Sequence, residues 1–256
     1  MYPVLFTIGS LEFRVWGLMV VTGVLAGLWL SLKLAKRAKF SQEAVTDYLV
    51  YGVIVGLAGA RIWEVLFSWD QFAATPIHAL MLWEGGLSIQ GAVVANVILA
   101  FWYFRRNGLS FRKFADIGAP GLILGQAIGR IGCLLNGDAY GSPTNAWYGV
   151  VYQPGTSAYN AWGNTPLIPA EFFEAVIDMA ILSVLLYLFP RKKFDGQVAL
   201  VYFILYSVAR FALEFLRTDS LMVWGFKAAQ LTSLVMALAA GILLLWGSFR
   251  KPLATN

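Results

Sequence analysis

The sequence predicts an all-α, polytopic membrane protein with about seven transmembrane helices, and three observations predict it. Only 13% of the 256 residues are charged, 59% are hydrophobic, and the mean hydropathy is +0.68. A soluble domain of this length carries about 25% charged residues. Apolar runs recur along the chain at the roughly 20-residue length that crosses a bilayer as a helix. Basic residues gather at alternate ends of those runs: Lys33, Lys36, Arg37 and Lys39; Arg105, Arg106, Arg112 and Lys113; Arg191, Lys192 and Lys193; Arg250 and Lys251. These are thirteen of the 19 cations, and their asymmetry is the positive-inside pattern. The formal charge of +5 is therefore read as topology, and no nucleic-acid partner is expected.

In order, the spans are expected at about 14–35, 46–68, 86–104, 114–134, 169–189, 197–217 and 227–249. With the basic clusters inside, the N-terminus lies outside and the C-terminus in the cytoplasm. The first run is long and no small-residue cleavage site follows it, so it reads as an anchor and not a cleavable signal. Segment 137–168 falls on the outer face and is rich in Gly, Pro, Asn, Tyr and Trp, as an ordered loop with interfacial rings would be. A second outer segment, 69–85, carries Trp69 and Trp83 and runs into Gly85 and Gly86. No internal repeat appears, and residues 1–256 read as one domain. A single cysteine, Cys133, and a single histidine, His78, make neither a disulfide framework nor a Cys/His metal site.

Six cations remain after the clusters are set aside: Arg14, Arg61, Arg130, Arg210, Arg217 and Lys227. Arg14 and Lys227 sit at outer ends, where long side chains snorkel. The other four fall within spans or at their outer ends. Charge at bilayer depth costs at least about 2.5–3.5 kcal/mol on insertion scales, so it faces a partner or a wet cavity. Arg210, Glu214 and Arg217 share one helical face, as do Arg61 and Glu64. Glu171, Glu174 and Asp178 make an acidic stripe on a helix that starts at Pro169. Two readings stay open: internal ion pairing between these spans, or an anion site near the outer leaflet in which arginines hold a lipid phosphate. The stretch GRIGCLLNGDAYG (129–141) sets Asn136 and Asp138 among glycines beside Arg130, which fits backbone wrapped around a ligand.

That stretch, through Gly129, Arg130, Ile131 and Gly132, then Asn136, Gly137, Asp138 and Gly141, resembles the signature of the bacterial prolipoprotein diacylglyceryl transferase family. Its usual form there is G-R-[IL]-G-N-x-x-N-x-E-x-x-G. Three further segments agree in order and spacing. Trp83–Ser88 (WEGGLS) resembles W-[DEQ]-G-G-[ML]-S, and Arg61 with the small residues before it resembles G-G-R-[IL]. Arg210–Arg217 (RFALEFLR) resembles R-[FI]-x-x-E-[FI]-x-R. The similarity covers almost the full chain.

The resemblance implies transfer of the diacylglyceryl group of phosphatidylglycerol to the thiol of a lipobox cysteine in the signal peptide of a preprolipoprotein. A thioether forms and glycerol phosphate leaves. It implies a multi-pass protein among the lipids of the bacterial cytoplasmic (inner) membrane that uses no cofactor, metal or nucleotide. In that light Arg130 and Arg210 recognise the phosphate, with Glu214 orienting Arg210 or Arg217 as the third catalytic residue. Asn136, Gly137 and Asp138 shape the headgroup pocket, with Arg61, Gln90, Gly141, Glu171 and Arg217 also binding substrate. Gly85, Gly86 and Ser88 let backbone approach the lipid or the acceptor.

The chain also departs from the family. Gln90 stands where many members have a histidine, and a glutamine is no base near neutral pH. Ile168 to Glu174 (IPAEFFE) stands for H-P-[ST]-Q-L-Y-E, and Trp16 for a common tyrosine. Asp138 and Glu171 are acids that would replace the lost base. The departures leave open a paralogue with another donor or acceptor, or a non-catalytic phospholipid-binding relative. A transporter or channel is the third alternative, though the missing repeat argues against the commonest transporter plans.

Overall fold

The computed structural model describes residues 4–8, 11–73, 75–81, 85–217, 222–223 and 226–249. A hairpin of β1 (Val4–Ile8) and β2 (Leu11–Arg14) precedes α1 (Val15–Arg37). Next come α2 (Gln42–Phe67), the one-turn α3 (Trp69–Phe72) and a 3-10 turn at Pro76–Leu80. Helices α4 (Ile89–Arg106) and α5 (Phe111–Asn136) follow. A folded segment containing α6 (Ser157–Trp162) leads to α7 (Ala170–Leu188) and α8 (Gln197–Leu213). A second hairpin, β3 (Met222–Val223) with β4 (Phe226–Lys227), precedes α9 (Ala228–Phe249).

Among the described residues, six helical stretches are long and apolar enough to cross a membrane: Val15–Arg37, Gln42–Phe67, Phe111–Asn136, Ala170–Arg191, Gln197–Leu216 and Ala228–Ser248. The remaining expected span is α4, whose 18 residues rise about 27 Å and end on Arg105 and Arg106. Ile89, Val93, Val97, Ile98, Phe101 and Trp102 stand exposed along it. α9 buries only 11% of its apolar window inside the protein. Apolar surface on this scale is tolerated when lipid covers it, and the protein is an all-α, polytopic membrane protein. The two hairpins depart from the all-helical expectation. Their strands are too short to impose a period on the sequence, and the first is joined by stacked Phe6 and Phe13 rings 4.6 Å apart.

The chain groups into two compact units, Met1–Lys33 with Ala115–Asn256, and Leu34–Phe114. In the first, α1 meets α5 through glycines. A Cβ on Gly27 would lie 2.6 Å from the Gly121 carbonyl oxygen, and one on Gly23 2.8 Å from that of Gly125. Without a hydrophobic force between helices in lipid, such backbone approach supplies the packing. At the start of α5 the fully buried Asp116 accepts from Lys192 Nζ at 2.8 Å, Gly196 N at 2.8 Å and Ala199 N at 3.1 Å. It thereby ties the α7–α8 turn to α5. Burial works against the Lys192 charge, but Asp116 and Asp195 outweigh it and hold the amine above its ordinary value.

In the second unit, Ser41 caps α2 by accepting from Ala44 N at 3.1 Å. Asn96 of α4 inserts its amide where α2 has Gly52 and Gly56; a Cβ on Gly52 would stand 2.7 Å from Asn96 Oδ1. Phe104 and Phe114 stack at 4.1 Å, with Tyr48 edge-on to Phe114 at 4.7 Å.

Candidate active site

α7 and α8 run antiparallel through a turn closed by Gly196, whose φ of 99° favours glycine. This places Glu174, one turn into α7, against Arg210 near the end of α8. Arg130, in the last turns of α5, reaches the same carboxylate. The result is a chain of alternating charge. Arg130 Nη2 lies 2.8 Å from Glu174 Oε1, Arg210 Nη1 3.7 Å from Glu174 Oε2, and Arg210 Nη2 2.9 Å from Glu214 Oε2. The carboxylates are buried, while the Arg130 and Arg210 side chains remain 25% and 19% exposed. The pairs are close in distance, yet Glu174 Oε1, Glu214 Oε2 and Arg210 Nη1 lack an aligned hydrogen bond. Buried polar atoms are rarely left so. Here two guanidinium groups share two acids. One turn deeper, Asp178 Oδ2 and Ser207 Oγ are buried without a hydrogen bond as well.

Around this chain the segment after α5 folds as a cap. Gly137, at φ 73°, turns the backbone under Thr156; a Cβ there would lie 2.5 Å from the threonine Cβ. Asn136 Nδ2 donates to Asp138 Oδ2 at 2.7 Å, so the two polar side chains hold each other. Gly141 N donates to Ile168 O at 2.9 Å and Ser142 N to Leu216 O at 3.0 Å, which pins the cap to the ends of α7 and α8. Glu171, fully buried, accepts from Tyr152 Oη at 3.1 Å. Burial first, and the facing Glu171 carboxylate second, hold the Tyr152 phenol above its ordinary range, so it serves as a donor.

Two sequence expectations are corrected in this unit. Arg217 does not continue the helical face of Arg210 and Glu214. α8 ends at Leu213, Glu214–Leu216 is a 3-10 turn, and Arg217 is extended and bridged to Gly141. Lys227 does not snorkel: its Nζ donates to the Glu214 and Arg217 carbonyls at 2.6 and 2.8 Å, capping that turn. Sequence reasoning passed over Glu174 as a site residue and Tyr152 altogether. The i, i+3 spacing from Glu171 was the available sign for Glu174.

In the second unit Arg61 is buried and differs from Arg130 and Arg210. Its Nε donates to Ala79 O at 3.0 Å, Nη1 to Gly85 O and Gly86 O at 2.5 and 2.9 Å, and Nη2 to His78 O and to Met81 O at 3.1 Å. A guanidinium has five N–H donors, and all are matched by backbone carbonyls. Arg61 thus ties residues 78–81 to Gly85 and Gly86 through their carbonyls. Gly85 and Gly86 adopt φ of 86° and 67°, and Ser88 Oγ donates to Gln90 Oε1 at 2.6 Å. Trp83 and Glu84 lie outside the described residues. Arg61→Lys keeps the charge but only three donors. It is expected to destabilise the clamp by about 1.5–3 kcal/mol, read as faster proteolysis within 78–86 at unchanged helical content.

The site of this helical membrane protein is thus a set of partly exposed arginines paired with buried glutamates at the ends of three spans. The family model described as prolipoprotein diacylglyceryl transferase matches residues 3–246. Proteins named phosphatidylglycerol–prolipoprotein diacylglyceryl transferase are similar along nearly the whole chain. The one from Gloeobacter violaceus is 38% identical over 95% of this chain and 92% of its own. That from Finegoldia magna is 35% identical over 94% and 93%, and that from Clostridioides difficile 33% identical over 91% and 90%. The chain belongs to the prolipoprotein diacylglyceryl transferase family.

Proposed function

We propose that this chain, working as one domain, transfers the diacylglyceryl group of phosphatidylglycerol to the lipobox cysteine thiol of a preprolipoprotein. The relatives' printed names supply donor and acceptor. The observation that carries the chemistry is the Arg130–Glu174–Arg210–Glu214 chain, in which both arginine side chains stay partly exposed while the carboxylates are buried. In the reaction a sulfur–carbon bond forms at the glycerol carbon bearing the phosphate, and the carbon–oxygen bond breaks. The electron pair leaves on the oxygen of glycerol phosphate, and the thiol proton passes to solvent. Charge grows on the phosphate as the bond breaks, and Arg130 and Arg210, already oriented by Glu174 and Glu214, stabilise it at low dielectric. No base is assigned, since Gln90 accepts no proton. A thiol of ordinary pKa near 8.5 is partly ionised at neutral pH, more so beside cations.

Asn136, Gly137, Asp138 and Gly141 shape the headgroup side in this reading, and Glu171 braces the cap through Tyr152. Arg61, Gly85, Gly86, Ser88 and Gln90 hold the second unit's outer segment, while Arg217 with Lys227 holds the turn after α8. The protein sits in the bacterial inner membrane with its N-terminus and cap outside. The test is lipidation of a lipobox peptide by reconstituted protein with and without phosphatidylglycerol. A thioether product only with that lipid is expected. Phosphatidylglycerol binding without product would favour the second reading, a non-catalytic lipid-binding relative, for which the hydrogen-bonded Ser88–Gln90 pair in place of a base is the motivating feature.

A further inference from the structure

We propose that the cap formed by residues 142–168 sits in the headgroup layer of the bilayer, with Trp147 as its lipid-facing tip. From Ser142 to Ile168 the chain contains no Asp, Glu, Lys, Arg or His. A water-facing segment of ordinary composition carries about a quarter charged residues, so their complete absence sets this one apart. It is no slack linker. Thr144 N donates to Pro166 O, Val150 and Leu167 exchange backbone hydrogen bonds at 2.9 Å, and buried Tyr152, Ala158 and Leu167 form a small core with Leu134, Tyr140 and Val150.

On this ordered support Trp147 is 95% exposed. The turn that presents it is braced by Ala146 N donating to Thr144 Oγ1 at 3.1 Å and Gly149 N to Ala146 O at 2.9 Å. Tyr148 lies edge-on to Trp147 at 5.7 Å and to Phe173 at 5.6 Å, and Val151 is exposed close by. An indole projecting from a rigid turn, flanked by tyrosine and free of charge, has the chemistry of the interfacial aromatic belt. Its convex shape suits entry into a fluid lipid layer, whereas peptides are held in grooves or along sheet edges. The cap thereby rests at the depth of lipid phosphates. This placement does not depend on the proposed reaction.

Trp147→Cys and, separately, Val151→Cys, each with Cys133→Ser, are spin-labelled and reconstituted in vesicles of phosphatidylglycerol and phosphatidylethanolamine. Both labels are expected to collide more with oxygen than with a water-soluble nickel chelate. Asn107→Cys, in the exposed turn between α4 and α5, is expected to show the reverse order. Nickel accessibility at both cap positions equal to that at position 107 overturns the proposal. So does protection that appears only on adding a lipobox peptide, which would make the tip a peptide surface. Should Trp147→Cys not fold, Val151→Cys carries the same comparison.

Discussion

Arg130→Ala is expected to lower the lipidation rate about 100- to 1000-fold, the usual loss when one donor to a developing oxyanion is removed. Arg130 Nη2 is engaged with Glu174 at 2.8 Å, yet the side chain keeps 25% exposure, which leaves it an accessible outer edge. A phosphate oxygen meeting that outer edge would be bound by a pre-oriented donor that need not reorganise as charge develops. Arg130→Lys separates charge from geometry. An ammonium is a point charge on a flexible stem and cannot hold Glu174 and a phosphate along two edges of one plane. The lysine variant is therefore expected near the alanine variant in rate, with a thermal unfolding midpoint closer to wild type. Arg210→Lys should behave similarly, because Arg210 also divides its edges between Glu174 and Glu214. A lysine variant with near wild-type turnover would show that Arg130 contributes charge alone.

Much of this architecture was legible before any coordinates. Span positions follow from the length of apolar runs, and α1, α2, α5, α7, α8 and α9 begin and end within a few residues of expectation. Arg130 and Arg210 stood out because charge at bilayer depth demands a reason. Helical periodicity also set Glu171, Glu174 and Asp178 on a common face, and all three are buried. Partner choice was not legible, because it is a tertiary property. Nothing local says that Glu174 bridges two arginines from different helices while Glu171 meets Tyr152 of the cap. Arg61 shows the same gap from the other side: as an intramembrane arginine it looked like an anion ligand, and only the positions of five carbonyls reveal a clamp. Arg217 was misplaced because the switch from α to 3-10 at Glu214 leaves no mark in a pattern that still reads as helical.

Glu174→Gln is expected to cost about 3–5 kcal/mol of stability, the range for removing one partner of a buried ion pair. The reason is specific to its place. Glu174 is the anion common to Arg130 and Arg210, and it is nearly inaccessible to water. Without its charge, Arg130 loses its 2.8 Å partner, Arg210 keeps only Glu214 at 2.9 Å, and two guanidinium groups repel each other near lipid. Unfolding in detergent, followed by loss of helical signal with increasing denaturant, reads this loss. If the same arginines receive a lipid phosphate, an anionic lipid supplies the missing counter-charge. Phosphatidylglycerol added to the variant is then expected to restore part of the lost stability, and more than it adds to wild type, because a ligand that binds only the folded state stabilises it by mass action. Phosphatidylcholine also carries a phosphate, but its choline cation cancels the net charge, so it should restore less. Equal rescue by both lipids would mean that the arginine pair does not see the headgroup. A variant as stable as wild type would mean that Glu174 holds neither arginine in place.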